Sequence, residues 1–253
     1  IRVPRMSNFT DFNALERMQG VTLRYVEKVH QLGSPDLILL PGTKNTMGDL
    51  KWMRMNGLEA AVLKQVSDGT LVMGICGGYQ MLGMTLEDPD GVEEGGSMRG
   101  MELLPVHTVF EKAKTRTRVL GMTEALNGPW QLLSGIAFEG YEIHMGETTY
   151  EPGAAVFSTI AETAGTHNGK GSSANGCQYQ NAAGSYVHGI FDSVQMQKAL
   201  IELLCQRKGL SGETVSWIDE KVYKEQQYDK LAEGLRESMD MARIYQILEE
   251  GLA

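Results

Sequence analysis

The sequence predicts an α/β fold built on a mostly parallel sheet flanked by helices, and three features carry that expectation. Leu37-Ile-Leu-Leu40 is a continuous apolar run stopped by Pro41-Gly42, and Thr70-Leu-Val-Met-Gly-Ile75 is a second, stopped by a glycine-flanked cysteine. Runs this short and this apolar suit strands covered on both faces, as parallel strands are. Between them Leu50, Met53, Leu58, Ala61, Val62 and Val66 recur at helical spacing, so residues 46–67 read as one helix joining the strands. A strand–helix–strand unit of this kind collects ligands at the carboxyl ends of its strands.

The remaining elements follow in order. Residues 87–118 are rich in glycine and charge, and Leu103-Leu-Pro-Val-His-Thr-Val-Phe110 within them reads as an irregular, peripheral strand. Phe138-Glu-Gly-Tyr-Glu-Ile-His-Met145 alternates like a half-buried strand, whereas the Gly, Ser and Asn content of residues 161–183 predicts a long surface loop. Gly184-Ser-Tyr-Val-His-Gly-Ile-Phe-Asp192 offers a final short strand, and Met196, Leu200, Leu203 and Leu204 mark a helix after it. From Glu213 onward ten acidic residues outnumber five basic ones. Apolar stripes there (Leu231, Leu235, Met239 and Ala242, then Ile244, Ile247, Leu248 and Leu252) predict charged helices packed against the body. The expectation is one domain over residues 1–253 with a helical extension from about residue 209.

Composition excludes several classes. With 253 residues, 42% hydrophobic and 22% charged, the chain can bury a sizeable core. A formal net charge of -9 argues against nucleic acid or an anionic membrane as partner, because both want a basic face. No apolar run approaches the roughly 20 residues that cross a bilayer. Cys76, Cys177 and Cys205 lack the close spacing of a metal site or redox pair, which predicts no metal, no disulfide framework and a reducing, cytoplasmic setting. The first residue is not Met, and the chain is expected to be a piece of a longer polypeptide.

Cys76 raises the functional question. A strand ending in Gly74-Ile-Cys76-Gly-Gly78 and turning at once into a helix resembles a nucleophile elbow, which holds a reactive side chain on a strained bend. Neighbouring chain must pass so close that a Cβ at Gly74 or Gly78 would collide with it. Helix N–H groups favour the thiolate, and the N–H of Gly77 is placed to receive an oxyanion. A second donor is expected from the Gly42–Thr43 turn at the end of the adjacent strand. Acyl transfer from a thiolate also needs a base, for which histidine is the usual choice. His30, His107 and His167 fall in loop-like or peripheral segments; His144 and His188 both sit near strand ends, and the residues alone leave those two tied.

The motifs resemble the glutaminase domain of cobyric acid synthases, within the triad-type (class I) glutamine amidotransferases. The resemblance covers nearly the whole chain. It is carried by Pro4-Arg-Met-Ser-Asn-Phe-Thr-Asp-Phe12, Leu40-Pro-Gly-Thr-Lys-Asn-Thr-Met-Gly-Asp49, Gly74-Ile-Cys-Gly-Gly-Tyr-Gln-Met-Leu-Gly83, Gly140-Tyr-Glu-Ile-His-Met-Gly146 and Tyr186-Val-His-Gly-Ile-Phe-Asp192. It implies a three-layer, flavodoxin-like architecture and glutamine as substrate, hydrolysed through a Cys76 thioester with His188 as acid/base. Tyr79, Gln80, Glu142 and His144 are implied neighbours of the substrate. No cofactor is implied for this domain; an N-terminal synthetase domain using ATP and Mg²⁺ would pass the ammonia to carboxylates of a corrinoid in cobalamin synthesis. A glutaminase serving a Mur-ligase-like, cell-wall-amidating partner is the rival within the same chemistry, and a non-catalytic interaction module the rival outside it.

Two positions depart from the family pattern. The glutamate commonly found two residues after the histidine is Ile190 here, which leaves Asp192 as the nearest candidate for a third acid. Glu102 stands where a second glycine is common, with no catalytic consequence expected.

Overall fold

The computed structural model describes residues 1–162, 172–210 and 220–251. His167, Leu252 and part of the expected surface loop, residues 163–171, lie outside them. The chain divides into two compact units, Ile1–Trp217 and Ile218–Ala253. The second contains the helices α7 (Glu220–Ser238) and α8 (Met241–Glu250), the latter capped by the Asp240 carboxylate on the N–H of Arg243 at 2.9 Å.

In the first unit a 3-10 turn, Phe9–Phe12, leads into α1 (Asn13–Glu16), and α2 (Val29–Leu32) precedes strand β1 (Leu37–Leu40). The single helix expected over residues 46–67 is two, α3 (Thr46–Met55) and α4 (Leu58–Ser67). Gly57, at φ +73°, breaks the run by taking a left-handed conformation that side-chain-bearing residues avoid. Asn45 starts α3 by accepting from the Gly48 N–H at 2.6 Å. Strand β2 (Leu71–Ile75) is buried at every residue and runs straight into the five-residue helix α5 (Gly77–Met81).

Among the described residues of the unit, eight more strands and one α-helix follow: β3 (Thr85–Asp88), β4 (Gly96–Arg99), β5 (Val106–Thr123), β6 (Ala137–Tyr150), β7 (Ala155–Glu162), β8 (Ser173–Tyr179), β9 (Ala182–Ser185), β10 (Val187–His188) and α6 (Val194–Lys208). The sheet order is β1-β2-β9-β8-β7-β5-β3-β4, with β6 bridging β5 and β10. Among the described residues only β1–β2, β2–β9 and β3–β5 pair in parallel, so the sheet is mixed rather than mostly parallel. Glu102 has φ +56°, which explains why glycine suits that position. Its carboxylate pairs with Arg99 and holds the turn.

The largest departure from the sequence reading is the stretch taken for a surface loop. Its described residues instead form the end of β7, then β8 and β9, and β9 lies directly beside β2. Small residues are demanded there by packing: a Cβ on Gly184 would fall 2.3 Å from the Tyr79 ring of α5, and one on Gly176 2.0 Å from the Gly184 carbonyl oxygen. Composition that resembles a loop is therefore the signature of a crowded strand.

The bend after β2 is also tightly packed. A Cβ on Gly74 would lie 2.4 Å from the carbonyl oxygen of Gly78, and one on Gly78 2.1 Å from that of Leu40 in β1. Both obstacles are backbone and cannot swing aside. Gly78→Ala is therefore expected to destabilise the first unit by roughly 3 kcal/mol or more. Gly234→Ala, in open space on α7, should raise helix stability by about 0.5–1 kcal/mol. Urea titrations of the two variants, read by near- and far-UV circular dichroism, check the contrast.

Candidate active site

Cys76 occupies the bend between β2 and α5 with φ +52° and ψ -111°, a conformation that costs a residue bearing a Cβ about 1–3 kcal/mol. Hydrogen bonds on both sides hold it there. Its N–H donates to the Ser185 carbonyl at 2.8 Å, and its carbonyl accepts from the Gln80 N–H at 3.0 Å. The thiol is nearly buried and donates to the carbonyl of Ile143 on β6 at 3.4 Å.

His188 ends β10, whose pairing with β6 sets Tyr141 opposite it. The two rings stack, with centroids 5.2 Å apart and planes at 24°. The ring nitrogen Nδ1 lies 2.7 Å from Oδ2 of Asp11, and Oδ1 of Asp11 accepts from the Gly189 N–H at 3.1 Å. On the other side Nε2 faces the Asn8 side-chain nitrogen at 3.0 Å. With Asp11 accepting from Nδ1–H, the neutral ring holds its lone pair on Nε2, facing the Asn8 amide. Burial alone would lower the imidazole pKa, but hydrogen bonds and charge from Asp11 and Cys76 outweigh it and raise it to about 10.

The acid beside His188 is thus Asp11 and not Asp192, the candidate nearest in sequence. After His188 the chain turns at Gly189, φ +79°, and Asp192 ends the 3-10 turn Ile190–Asp192. Asp11 arrives from the opening segment, where Phe12 packs against Phe191 with ring centroids 6.2 Å apart. Three residues that sequence reasoning left without a role, Asn8, Asp11 and Tyr141, surround the imidazole. Asn8 and Asp11 lie in a motif that was visible, but more than 60 residues before the cysteine, where no spacing rule links them to it.

The turn after β1 comes to the same place. A Cβ on Gly42 would lie 3.0 Å from Cε1 of His188 and 3.6 Å from Cβ of Cys76. A Cβ on Gly77 would meet the Thr43 methyl at 2.7 Å and the Thr43 nitrogen at 3.2 Å. The opening segment clamps this turn: Ser7 N–H donates to Gly42 O at 2.8 Å, Lys44 N–H to Arg5 O at 3.1 Å, and Arg5 pairs with the buried Asp49 at 3.1 Å. Gly42, Thr43 and Gly77 are therefore gathered around Cys76 and His188.

The four residues expected beside the substrate are engaged mostly with other residues of the protein. Tyr79 is wholly buried, with its ring under Gly184 and edge-on to Tyr186 at 5.0 Å; it is a packing residue. Gln80 accepts from the Thr46 hydroxyl at 3.0 Å and donates to the Met145 carbonyl at 3.1 Å and the Tyr186 hydroxyl at 3.2 Å. Glu142 accepts from the Asn175 side chain at 2.6 Å and lies 3.7 Å from Nε2 of His144, whose ring stacks on Tyr186 at 3.8 Å. His144 thus belongs to the wall formed by β6, and the ring against Cys76 is that of His188. His107 is held between Thr85 and Glu151. Cys177 lies inside β8, where burial pushes its thiol up to about 12. Among the described residues no cluster of His, Cys, Asp and Glu could hold a metal ion, and no helix is long and apolar enough to cross a membrane.

Because the folded-state pKa of His188 is raised, its contribution to stability is complete below the unfolded value near 6.5 and is lost as pH rises through about 10. The unfolding free energy is expected to fall between pH 6.5 and 10 by a few kcal/mol on this account. Asp11→Asn should flatten that slope and lower the His188 titration midpoint, which urea denaturation across the pH range and imidazole NMR measure.

Residues 1–196 match the family model described as the CobB/CobQ-like glutamine amidotransferase domain. The chain is 50% identical over its whole length to a cobyric acid synthase of Ruminiclostridium cellulolyticum, covering 49% of that protein. It is 51% identical to that of Lachnoclostridium phytofermentans, covering 50%. The chain thus spans about half the length of these relatives. Among solved structures, PurLQS from Thermotoga maritima matches with a TM-score of 0.57 and 20% identity over 81% of this chain and 96% of that one. A structure described as a glutamine amidotransferase matches at 0.53 and 18%, over 79% and 95%. At these identities the structures speak for the fold.

Proposed function

Since the chain belongs to the CobB/CobQ-like glutamine amidotransferase domain family, we propose that it hydrolyses glutamine to glutamate and ammonia, with Cys76 as nucleophile and His188 as acid and base. The observation that carries this reading is the Cys76–His188–Asp11 arrangement at a strained, glycine-lined bend. Cys76 sulfur attacks the side-chain amide carbon, and the oxyanion is received by backbone N–H groups of Gly77 and the Gly42–Thr43 turn. His188 Nε2, having taken the thiol proton, gives it to the departing nitrogen as the carbon–nitrogen bond breaks. Water then adds to the thioester with Nε2 accepting its proton. The carbon–sulfur bond breaks, the sulfur recovers the proton, and glutamate leaves.

Asp11 takes the orienting role expected of the missing glutamate: it selects the tautomer with a free Nε2 and stabilises the imidazolium formed during turnover. A missing acid was the best argument for a non-catalytic module, and Asp11 removes its basis. Gln80 and Glu142 support the wall of the glutamine pocket, with His144 as a further member. Relatives named cobyric acid synthase, about twice as long as this chain, favour corrinoid carboxylates as the final ammonia acceptor over a cell-wall precursor. In that reading the remaining half of the protein is the synthetase that uses ATP and Mg²⁺, and this chain supplies ammonia to it in the cytoplasm.

Glutamate release from L-glutamine by Cys76→Ser or His188→Ala is expected to fall by about 10³-fold or more. Equal rates for wild type and Cys76→Ser would reject the assignment. Loss with His144→Ala but not with His188→Ala would move the base role to the other histidine.

A further inference from the structure

Resting on that reading of the site, we infer that Asn8 is a positioning residue that restrains the proton-transfer nitrogen of His188 and must let it go for turnover. Nε2 is the nitrogen that has to exchange a proton with the sulfur and the leaving group, yet its partner here is the Asn8 side-chain nitrogen at 3.0 Å. The thiol faces the same ring and also donates to the Ile143 carbonyl at 3.4 Å. One lone pair cannot serve a strong bond to an amide N–H and accept the thiol proton together, so the two arrangements exclude each other. Asn8 thereby competes with the sulfur for the ring.

The backbone under Asn8 favours a switchable contact. Asn8 adopts φ +52° and ψ +52°, a left-handed conformation that asparagine tolerates better than other residues with a side chain. It sits between two fixed points. Arg5 to Ser7 are tied to the Gly42–Lys44 turn and Asp49, and Asp11 is tied to His188 and Gly189. Rotation about the Asn8 side-chain bonds moves the carboxamide while the Asn8 carbonyl keeps accepting from the Asp11 N–H at 3.0 Å, so Nδ1 stays oriented while Nε2 is freed. Cys76 is 6% exposed and His188 fully covered, so some covering group has to move before glutamine reaches them. Asn8 is the side chain seated on Nε2, and its departure frees the nitrogen that exchanges the proton.

The test is Asn8→Gly in the 253-residue chain, because glycine accepts the left-handed backbone at no cost. Three readouts are needed: iodoacetamide labelling at Cys76, the same labelling at buried Cys177, and kcat and KM for glutamate release. Removing the restraint should raise Cys76 labelling and kcat about three- to tenfold, the range one such hydrogen bond controls, with KM within twofold and Cys177 unlabelled. Unchanged or slower Cys76 labelling would overturn the inference, as would a gain shared by Cys177, which signals a loosened fold. Wild type that neither releases glutamate nor labels at Cys76 rejects the glutaminase reading itself. Wild-type hydrolysis with no gain in the variant rejects the restraint alone.

Discussion

The approach of the Gly78 backbone to the Leu40 carbonyl is the constraint on which the rest of the site depends. It seats the first turn of α5 on the end of β1, so the chain leaving β2 has room only for the bend in which Cys76 takes a positive φ. The same contact brings the turn after β1 alongside Gly77, and with it Gly42 beside both Cys76 and His188. Strain at one residue is tolerable because the five buried residues of β2 and its pairing on both sides with β1 and β9 over-determine the local path.

A second layer of order comes from the opening segment. Residues 5–11 cross the turn after β1 and then reach His188, so one stretch of chain touches the expected oxyanion donors, the imidazole and its acid. The carboxylate beside His188 is buried in a medium of low dielectric, and its hydrogen bond and charge, together with those of Cys76, outweigh the desolvation of the ring. Control of the histidine is therefore not housed in the strand that carries it. Any movement of the opening segment is transmitted to the ring directly, through two hydrogen bonds on opposite nitrogens.

Several positions show how local composition misleads. The Gly, Ser, Asn and Ala content that reads as a loop belongs to strands β8 and β9, because Tyr79 and the Gly184 backbone leave no volume for larger side chains. Glu142 and Gln80, read as substrate neighbours, also knit β6 to β8 and to α5. A buried hydrogen-bonded wall and a binding surface use the same residue types, so only coordinates separate them.

The sequence by itself determined the α/β class, the parallel β1–β2 pair, the bend at Cys76 and the glycines beside it, because each depends on contacts within a short stretch or on volumes that only glycine fits. It left His144 and His188 tied on their residues alone, and the resemblance to a family chose between them without a physical account. Tertiary structure decided which imidazole meets the sulfur, that Asp11 rather than Asp192 lies on its far side, that Asn8 occupies Nε2, and that most strand pairs run antiparallel. These outcomes rest on contacts between residues as much as 180 positions apart. Pairings at such separations leave no periodic trace along the chain, since they are set by how a whole sheet and one crossing segment pack.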